Sequence, residues 1–312
     1  MAHRIVISEF MDLSAVDLLR ARFDVLYAPD YVKQRADLLA AVADVPALIV
    51  RNLTQVNREL VEAAPKLKVV GRLGVGLDNI DVEACEQRGI KVIPATGANS
   101  LAVAEYVVGT AMLLLRGAYQ STAVTAAGTW LKVELGRGRE TAGQTLGLIG
   151  FGAIGRLTAT LAQGLGMRVV AYDANIAAGA PLWQETGVAQ RGLAELLAEA
   201  DVVSLHVPLL PSTRHLLDAA AIARMKPGAV LINTSRGGIV DEAAVVAALK
   251  DGRMGGAAFD VFEREPLPAS PLFQDVPNLL LTPHIAGVTA QSNQRVSSMI
   301  AREVTAFLEQ HA

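Results

Sequence analysis

The sequence is poor in cysteine, in aromatic residues and in net charge. Of its 312 residues one is cysteine and 4% are aromatic, and the formal net charge is -3 at pH 7. The single cysteine, Cys85, excludes an intrachain disulfide and a cysteine-rich zinc site, so we predict no bound metal. The small net charge and the scattered basic residues argue against a nucleic acid as partner.

Long apolar runs are also missing. No charged-then-apolar segment typical of a secretion signal precedes Ile5, and no run is long enough to span a membrane. From this we expect no membrane partner and a cytoplasmic location. The chain is instead rich in apolar residues, at 52%, and contains 27 glycines. At this length, that composition favours about two packed α/β domains with many tight turns.

Residues 147–173 carry the clearest pattern, which is strand, glycine turn, helix, strand and acid. Gly150 permits a tight turn, Gly152 lets a pyrophosphate approach the backbone, and Gly155 lets the helix pack closely. Asp173 lies where an acid can bind both ribose hydroxyls of NAD and would repel the extra phosphate of NADP. The complete pattern predicts NAD as the cofactor.

Strands and helices alternate on both sides of this stretch. Up to about residue 95 they predict a small parallel α/β domain, and after Asp173 they complete a doubly wound sheet. Between the two lies a long helix from Ser100 to about Ala118, whose apolar surface predicts burial on all sides, between domains or subunits. A last helix, about residues 289–309, is expected to pack back on the first domain.

Two strand ends of the first domain carry cations. Arg51 follows the third strand, and Arg72 opens a glycine-rich stretch at the end of the fourth. Open α/β sheets bind ligands at the carboxyl ends of their strands, and Gly74 and Gly76 free the backbone to present N–H groups to an anion. From the residues alone, solvated arginines on an ordinary turn are an equally good interpretation.

Three strand ends of the second half carry titratable or cationic groups, at residues 233–238, 260–266 and 282–287. Parallel strands bring such ends to one crevice, so these groups are expected beside the nicotinamide end of the cofactor. Together they supply two arginines, several acids and one histidine. This combination suits the oxidation of a hydroxy acid.

Each group has a chemical role in that reaction. His284 can remove the hydroxyl proton, a carboxylate can orient its ring, and Arg236 can hold the substrate carboxylate and polarise the carbonyl oxygen. On spacing alone, Glu263 and Glu265 are equal candidates for the carboxylate. His206 is either a structural hydrogen bonder or part of the cofactor pocket.

With these motifs in place, the sequence resembles the D-2-hydroxyacid dehydrogenase family over nearly its whole length. The matching stretches are GRLGVGLDNID, GLIGFGAIGR with Asp173, HVPLLPSTRHLL, NTSRGGIVDEAAV, AFDVFEREP and TPHIAG. The resemblance implies an α/β fold of two Rossmann-like, doubly wound parallel-sheet domains. It places an NAD-binding domain at residues 98–287, inserted into a substrate domain formed by residues 1–97 and 288–312.

The resemblance also implies the functional residues. It makes Arg236, Glu265 and His284 the catalytic trio, with Glu265 rather than Glu263 as the partner of the histidine. Cofactor contacts are implied at Gly150, Gly152, Ala153, Ile154, Gly155, Asp173, His206, Pro208, Thr213, Thr234 and Asp260, the last of these near the nicotinamide amide. Substrate contacts are implied at Arg51, Arg72, Val75 and Gly76. A homodimer joined through the long-helix region, about residues 100–140, is implied as well.

Within the family, GRLGVGLDNID and Arg51 look like the phosphoglycerate dehydrogenase branch and its sulfolactate dehydrogenase relatives. We expect no regulatory extension after Ala312, and hence no serine feedback. The expected activity is NAD-dependent interconversion of a small D-2-hydroxy acid and its 2-keto acid, either a C3 acid with a second anionic group or glycerate and glyoxylate. The alternatives are a catalytically weak NAD(H)-sensing protein, like corepressors of this fold, and a formate or phosphite dehydrogenase.

Overall fold

The computed structural model describes residues 4–118 and 121–311. The chain divides into two compact units. The first comprises the chain up to Asn99 together with the chain from Val288 onward, and the second is Ser100–Gly287. The second unit is therefore inserted in sequence between the two segments of the first.

The described part of the first unit contains a five-stranded parallel sheet in the order β2-β1-β3-β4-β5. Its strands are β1 Arg4–Ile7, β2 Asp24–Tyr27, β3 Ala47–Val50, β4 Val69–Arg72 and β5 Lys91–Pro94. The connecting helices are α1 Leu13–Arg20, α2 Arg35–Val42, α3 Arg58–Ala63 and α4 Val82–Gln87. Three of these helices begin at a side chain that caps a free backbone N–H group, namely Asp12, Asn57 and Asp81.

The second unit begins with three helices, α5 Ser100–Arg116, α6 Thr122–Ala126 and α7 Lys132–Leu135. Its strands are β6 Thr145–Ile149, β7 Arg168–Tyr172, β8 Ala189–Gln190, β9 Val202–Leu205, β10 Val230–Asn233, β11 Gly256–Phe259 and β12 Leu279–Leu281. They form one parallel sheet in the order β12-β11-β10-β9-β6-β7-β8. The remaining helices of this unit are α8 Ala153–Gly164, α9 Pro181–Thr186, α10 Leu193–Glu199, α11 Ala219–Arg224 and α12 Glu242–Lys250.

Both sheets are doubly wound, so the predicted fold class is confirmed. In each sheet the strand order reverses at one point, between β1 and β3 in the first and between β6 and β9 in the second. Because all the paired strands are parallel, their carboxyl ends share one edge of each sheet. Ligands of open α/β sheets bind beyond that edge, at the point of reversal.

The last helix, α13 Ala290–Gln310, belongs to the first unit, where it packs on β4. Its apolar face lies so close to the sheet that a Cβ atom on Gly71 would be 2.7 Å from the Cγ2 atom of Ile300. The prediction that this helix packs back on the first domain is confirmed. None of the helices in the described ranges is long and apolar enough to cross a membrane.

Within the second unit, helix α5 is buried along one side only, and its burial on all sides, between domains or subunits, stays a prediction. Val103, Val107 and Leu114 are buried in the core of the second unit. Leu101 and Met112, on the opposite face, are 40% and 41% exposed. A helix on a sheet contacts it along one stripe, and apolar residues outside that stripe need another partner to cover them.

Candidate active site

The glycine turn between β6 and α8 is shaped first by its own backbone. Gly150 has a φ of +95°, and a Cβ atom there would lie 2.4 Å from the carbonyl oxygen of His206. A Cβ atom on Gly155 would lie 2.4 Å from the carbonyl oxygen of Gly150. At Gly152 the Cβ position faces open space instead. Two of the glycines therefore form the turn, and the third leaves room above it.

Asp173 follows β7 and is tied to this turn. Its Oδ2 accepts the amide N–H of Phe151 at 2.8 Å, and its Oδ1 accepts that of Asn175 at 2.9 Å. A carboxylate oxygen has a second lone pair, so both oxygens retain the capacity to accept a hydroxyl group. Asp173 is thus held beside the N-terminus of α8, and each of its oxygens can still accept one more hydrogen bond.

The loop after β9 carries three of the predicted cofactor residues. Burial lowers the pKa of His206 to about 4, so its imidazole is neutral at neutral pH, and its Nε2 lies 3.1 Å from the Ser204 hydroxyl. The Thr213 hydroxyl donates to the carbonyl oxygen of Pro208 at 2.6 Å and accepts the amide of Leu210 at 2.8 Å. The Thr213 hydroxyl therefore stabilises the loop by bonding to two of its backbone groups.

The residues present fit a dinucleotide. The hydroxyl of Thr234, just after β10, is buried and has no hydrogen-bond partner among residues 4–118 and 121–311. Buried hydroxyls are rarely left unpaired, so an unpaired one beside the predicted site favours a ligand there. Ala153 and Ile154 occupy the first turn of α8, whose N-terminus favours phosphate. Together with the open space at Gly152, these features match the groups that NAD presents.

His284 and Glu265 form the central pair. The Nδ1 of His284 lies 2.6 Å from Oε2 of Glu265, and the two side chains are 50% and 35% exposed. Because the carboxylate accepts, Nδ1 carries the hydrogen, and Nε2 is left for a ligand. The other oxygen of Glu265 accepts the amide of Phe262 at 3.0 Å, which fixes the carboxylate.

Glu263 is held elsewhere. Its Oε1 lies 3.1 Å from Nε2 of His215, and its amide donates to Oε1 of Glu242 at 2.8 Å. The two glutamates that spacing could not separate therefore contact different histidines, and Glu265 is the one that contacts His284. Burial and the neighbouring acids, Glu263 first among them, raise the pKa of Glu242 even though its hydrogen bond to the Glu263 amide acts to lower it.

Asp260 organises the turn that carries His284. It is 1% exposed, its Oδ1 accepts the Thr282 hydroxyl at 2.6 Å and the Ile285 amide at 2.8 Å, and its Oδ2 accepts the Ala286 amide at 2.8 Å. His284 lies in the left-handed region, with a φ of +56°, and its amide donates to the carbonyl oxygen of Asp260. Such a backbone conformation persists only where its surroundings enforce it. The buried carboxylate provides that constraint.

Arg236 lies in the turn after β10. The Asn233 side chain bridges this turn by donating to the carbonyl oxygen of Arg236 at 2.9 Å and accepting the amide of Ser235 at 3.0 Å. A Cβ atom on Gly237 would lie 1.8 Å from the carbonyl oxygen of Phe262. A side chain there would separate the loops of Arg236 and Glu265. Since β10, β11 and β12 are neighbours in the sheet, the predicted trio follows three adjacent strand ends.

The predicted substrate residues lie at the carboxyl edge of the first sheet. Arg51 follows β3, where its Nη2 donates to Oδ1 of Asn293 at 2.8 Å and its guanidinium lies 5.7 Å from the centre of the Phe10 ring. Burial lowers the pKa of Arg51, while the charge of Glu9 acts to raise it. Arg72 is the last residue of β4.

The glycine-rich loop after β4 presents backbone donors. Within the described ranges, no acceptor receives the amide N–H of Val75 or Gly76, and Val75 is 40% exposed. The Asn79 side chain donates to the carbonyl oxygen of Thr54 at 2.7 Å and so ties this loop to the one after β3. Free amides at a strand end can bind an anion.

Comparison with known proteins decides the family. Residues 108–286 match the model described as "D-isomer specific 2-hydroxyacid dehydrogenase, NAD binding domain". The chain belongs to the D-2-hydroxyacid dehydrogenase family. As a member, it is an NAD-dependent oxidoreductase that interconverts a 2-hydroxy acid and its 2-keto acid.

Several relatives of the dehydrogenase cover it almost completely. It is 54% identical over 293 residues to an (S)-sulfolactate dehydrogenase of Chromohalobacter salexigens, covering 94% of each chain. It is 36% identical to a hydroxypyruvate reductase of Thermotoga maritima, covering 97% of each. With a D-3-phosphoglycerate dehydrogenase of Methanocaldococcus jannaschii the identity is 37%, over 98% of this chain and 57% of that enzyme.

Solved structures agree with this membership. The TT0316 protein of Thermus thermophilus superposes with a TM-score of 0.87 at 34% identity, over 98% of the dehydrogenase and 97% of that chain. A glyoxylate reductase of Paecilomyes thermophila superposes with a TM-score of 0.87 at 28% identity, over 99% and 96%.

Sequence reasoning gave no role to four residues that contact the predicted site residues of one unit or the other. Glu9 lies two positions after β1, so the rule applied to the other strand ends would have drawn attention to it, and Thr282 opens the stretch already marked after β12. Tyr106 and Asn293 lie within helices α5 and α13 and reach their partners from a distance in the chain. No local pattern marks residues of that kind.

Proposed function

We propose that the enzyme acts on a three-carbon D-2-hydroxy acid whose third carbon carries a sulfonate or a phosphate. The observation that carries this proposal is the Arg51 guanidinium, held by Asn293 and Phe10 at the carboxyl edge of the first sheet. A guanidinium binds either oxyanion with paired N–H donors. We assign the distal anion to Arg51 and Arg72, and the substrate carboxylate to the amides of Val75 and Gly76.

The stereochemistry of the sulfolactate relative supports the same substrate. In sulfolactate, the sulfur makes the CH2–sulfonate arm outrank the carboxylate, whereas in lactate the carboxylate outranks the methyl group. The label (S) therefore describes the arrangement that is called D, or (R), in lactate. A D-specific site takes (S)-sulfolactate without any change of geometry.

Three side chains carry the chemistry in this proposal. His284 takes the hydroxyl proton on Nε2 during oxidation and returns it to the carbonyl oxygen during reduction. Glu265 keeps Nδ1–H in place and stabilises the imidazolium that forms, and Arg236 holds the carboxylate and polarises the carbonyl group. Bound NAD supplies the hydride chemistry. The residues that would hold it are the glycine turn with Ala153 and Ile154, Asp173, His206, Pro208, Thr213, Thr234 and Asp260.

We also propose the domain boundaries, the assembly and the location of the enzyme. We assign residues 98–287 to the NAD-binding domain and residues 1–97 with 288–312 to the substrate domain. We infer a homodimer formed through residues 100–140, because large apolar side chains of this region are exposed, among them Trp130 at 78% and Val133 at 71%. We place the enzyme in the cytoplasm, where NAD and its reduced form are available.

A panel of four keto acids tests the substrate. NADH oxidation is measured with sulfopyruvate, 3-phosphohydroxypyruvate, hydroxypyruvate and glyoxylate, and the highest kcat/KM is expected for one of the first two. Arg51→Ala is expected to raise KM for the preferred substrate about tenfold to a hundredfold, because a charged hydrogen-bond donor is lost. The exposed Arg88→Ala is the matched control. A higher kcat/KM for glyoxylate, or an equal effect of Arg51→Ala on all four acids, would contradict the proposal that the substrate carries a second anionic group.

A further inference from the structure

The carboxylate of Glu9 sits in a nest of four consecutive backbone amides. Glu9 follows β1 and is 4% exposed. It accepts the N–H groups of Arg51 at 2.8 Å, Asn52 at 3.3 Å, Leu53 at 3.1 Å and Thr54 at 2.9 Å. Successive N–H groups that converge in this way normally bind an anion. Here the anion is a side chain of the protein itself.

The nest lies where a ligand of this fold is expected. β1 and β3 are neighbours in the first sheet, and the strand order reverses between them. The crevice beyond such a reversal is the usual ligand position of a doubly wound sheet. Because Glu9 occupies the amides of this loop, a substrate anion cannot use them. The part of this loop that can still bind a substrate anion is the side chain of Arg51.

We infer that Glu9 is a positioning residue for substrate selection, which acts by fixing the backbone from which Arg51 reaches the distal anion. The inference rests on the proposed role of Arg51. The far end of the loop is held as well, since the hydroxyls of Thr54 and Ser8 lie 3.0 Å apart. With the loop fixed at both ends, the guanidinium is set in place by Asn293 and Phe10.

Preorganisation is what this arrangement contributes to binding. An arginine on a loose loop loses rotamer and backbone freedom when it binds, and that loss subtracts from affinity. Arg51 is ordered before the substrate arrives, by four hydrogen bonds to its loop and one to its guanidinium. Selection between acids with and without a distal anion then depends on the placement of one side chain.

The charge of Glu9 has an effect of the opposite sign. A carboxylate near the distal anion repels it, so removal of the charge alone would tighten binding. Removal of the hydrogen bonds loosens the loop and would weaken binding. Glutamine brings both effects into play at once, because it keeps the shape, loses the charge and turns an N–H2 group toward the amide donors. The sign of the change in KM shows which effect is larger.

The experiment compares Glu9→Gln and Asn293→Ala with the wild-type enzyme. KM and kcat are measured with sulfopyruvate, 3-phosphohydroxypyruvate and glyoxylate, which lacks a distal group. In both variants the ratio of KM for the better of the two anionic substrates to KM for glyoxylate is expected to rise about tenfold or more, since small misplacements of a binding group have large effects. Glu62→Gln, an exposed glutamate of α3, is the control and should leave the ratio unchanged.

The outcomes separate the possible failures. A lower KM for the anionic substrates in Glu9→Gln would make Glu9 a repelling charge and overturn the inference. An equal loss for all three acids, with a lower melting temperature, would give Glu9 a role in folding only. If Glu9→Gln does not fold, Glu9→Asp, which keeps the charge but is too short to reach all four amides, takes its place in the same assay. If Arg51→Ala raises the ratio and these two variants do not, the inference fails alone. If Arg51→Ala has no effect, the proposed substrate fails with it.

Discussion

At the scale of the residue, the loop after β11 carries two glutamates that hold different histidines. Glu265 contacts His284 and Glu263 contacts His215. Both carboxylates are partly exposed and lie two positions apart, so composition and spacing treat them alike. Their partners differ because each side chain points toward a different neighbouring loop.

Replacement of each glutamate by glutamine should separate these roles. Glu265→Gln is expected to lower kcat about a hundredfold or more, because glutamine still accepts Nδ1–H but does not stabilise the imidazolium. Glu263→Gln is expected to lower it less than about threefold. Steady-state kcat with the preferred keto acid measures both. Equal losses would contradict the assignment of Glu265 as the partner of the proton-transferring histidine.

His206 makes stability depend on pH. Its pKa is lowered by burial from the ordinary 6.5 to about 4. Below pH 6.5 the unfolded chain binds this proton, and the folded chain binds it only near pH 4. Protons therefore favour the unfolded state between these values, and the free energy of unfolding falls as the pH falls, by about 3 kcal/mol at most.

The variant His206→Gln isolates that contribution. Urea unfolding is measured at intervals from pH 7 to pH 4 for the variant and the wild type. The difference in their free energies of unfolding is expected to shift in favour of the variant as the pH falls. A difference that is constant with pH would show that the folded protein accepts the proton as readily as the unfolded chain does.

At the scale of the element, the turn after β12 depends on a relay of hydroxyl groups. Asp260 accepts the Thr282 hydroxyl, and the Tyr106 hydroxyl of α5 lies 2.6 Å from that of Thr282. Because an ionised carboxylate only accepts, Thr282 donates to Asp260 and Tyr106 donates to Thr282. Burial is the main cause that raises the pKa of Tyr106, which keeps the phenol protonated and able to donate.

Loss of this relay should loosen the His284 turn. Tyr106→Phe is expected to lower kcat roughly twofold to tenfold, the usual range for one neutral hydrogen bond. Thr282→Val should have a larger effect, because it leaves Asp260 buried with one donor fewer. The measurements are kcat and the melting temperature of each variant. If both variants match the wild type, the relay has no role in positioning, and if only Thr282→Val lowers kcat, Tyr106 has none.

Helix α5 shows where reasoning at this scale has a limit. Its apolar residues predict burial, and the structure buries one face of the helix in the second unit. Leu101 and Met112 remain exposed on the other face. A pattern of apolar residues indicates which surfaces avoid water, but the element that covers each surface is a property of the assembly.

At the scale of the whole molecule, that exposed surface predicts the oligomeric state. Sedimentation equilibrium of the wild type is expected to give the mass of a dimer. Trp130→Lys, which places a charge in the proposed interface, should weaken the dimer by at least about tenfold, because a buried unpaired charge is strongly unfavourable. The matched change Leu210→Lys, on an exposed residue of the second unit outside residues 100–140, should not. A wild type that is monomeric at micromolar concentration would contradict the proposal.

The amino-acid sequence by itself determined the fold class, the cofactor and the strand ends that carry the proposed catalytic groups. These follow from local rules, since apolar periodicity selects strands and helices, and glycines at fixed spacing form one kind of turn. The acid after β7 and the groups after β10, β11 and β12 could be found because parallel strands put their carboxyl ends at one edge.

Local rules could not choose the partners of these groups, and the tertiary structure shows which of them contact one another. It paired Glu265 with His284, directed Asp260 to the turn that holds that histidine, and filled the amides beside Arg51 with Glu9. These contacts join residues that are 19 to 42 positions apart in the chain. Their partners depend on distances between loops, and such distances exist only after the sheets have formed.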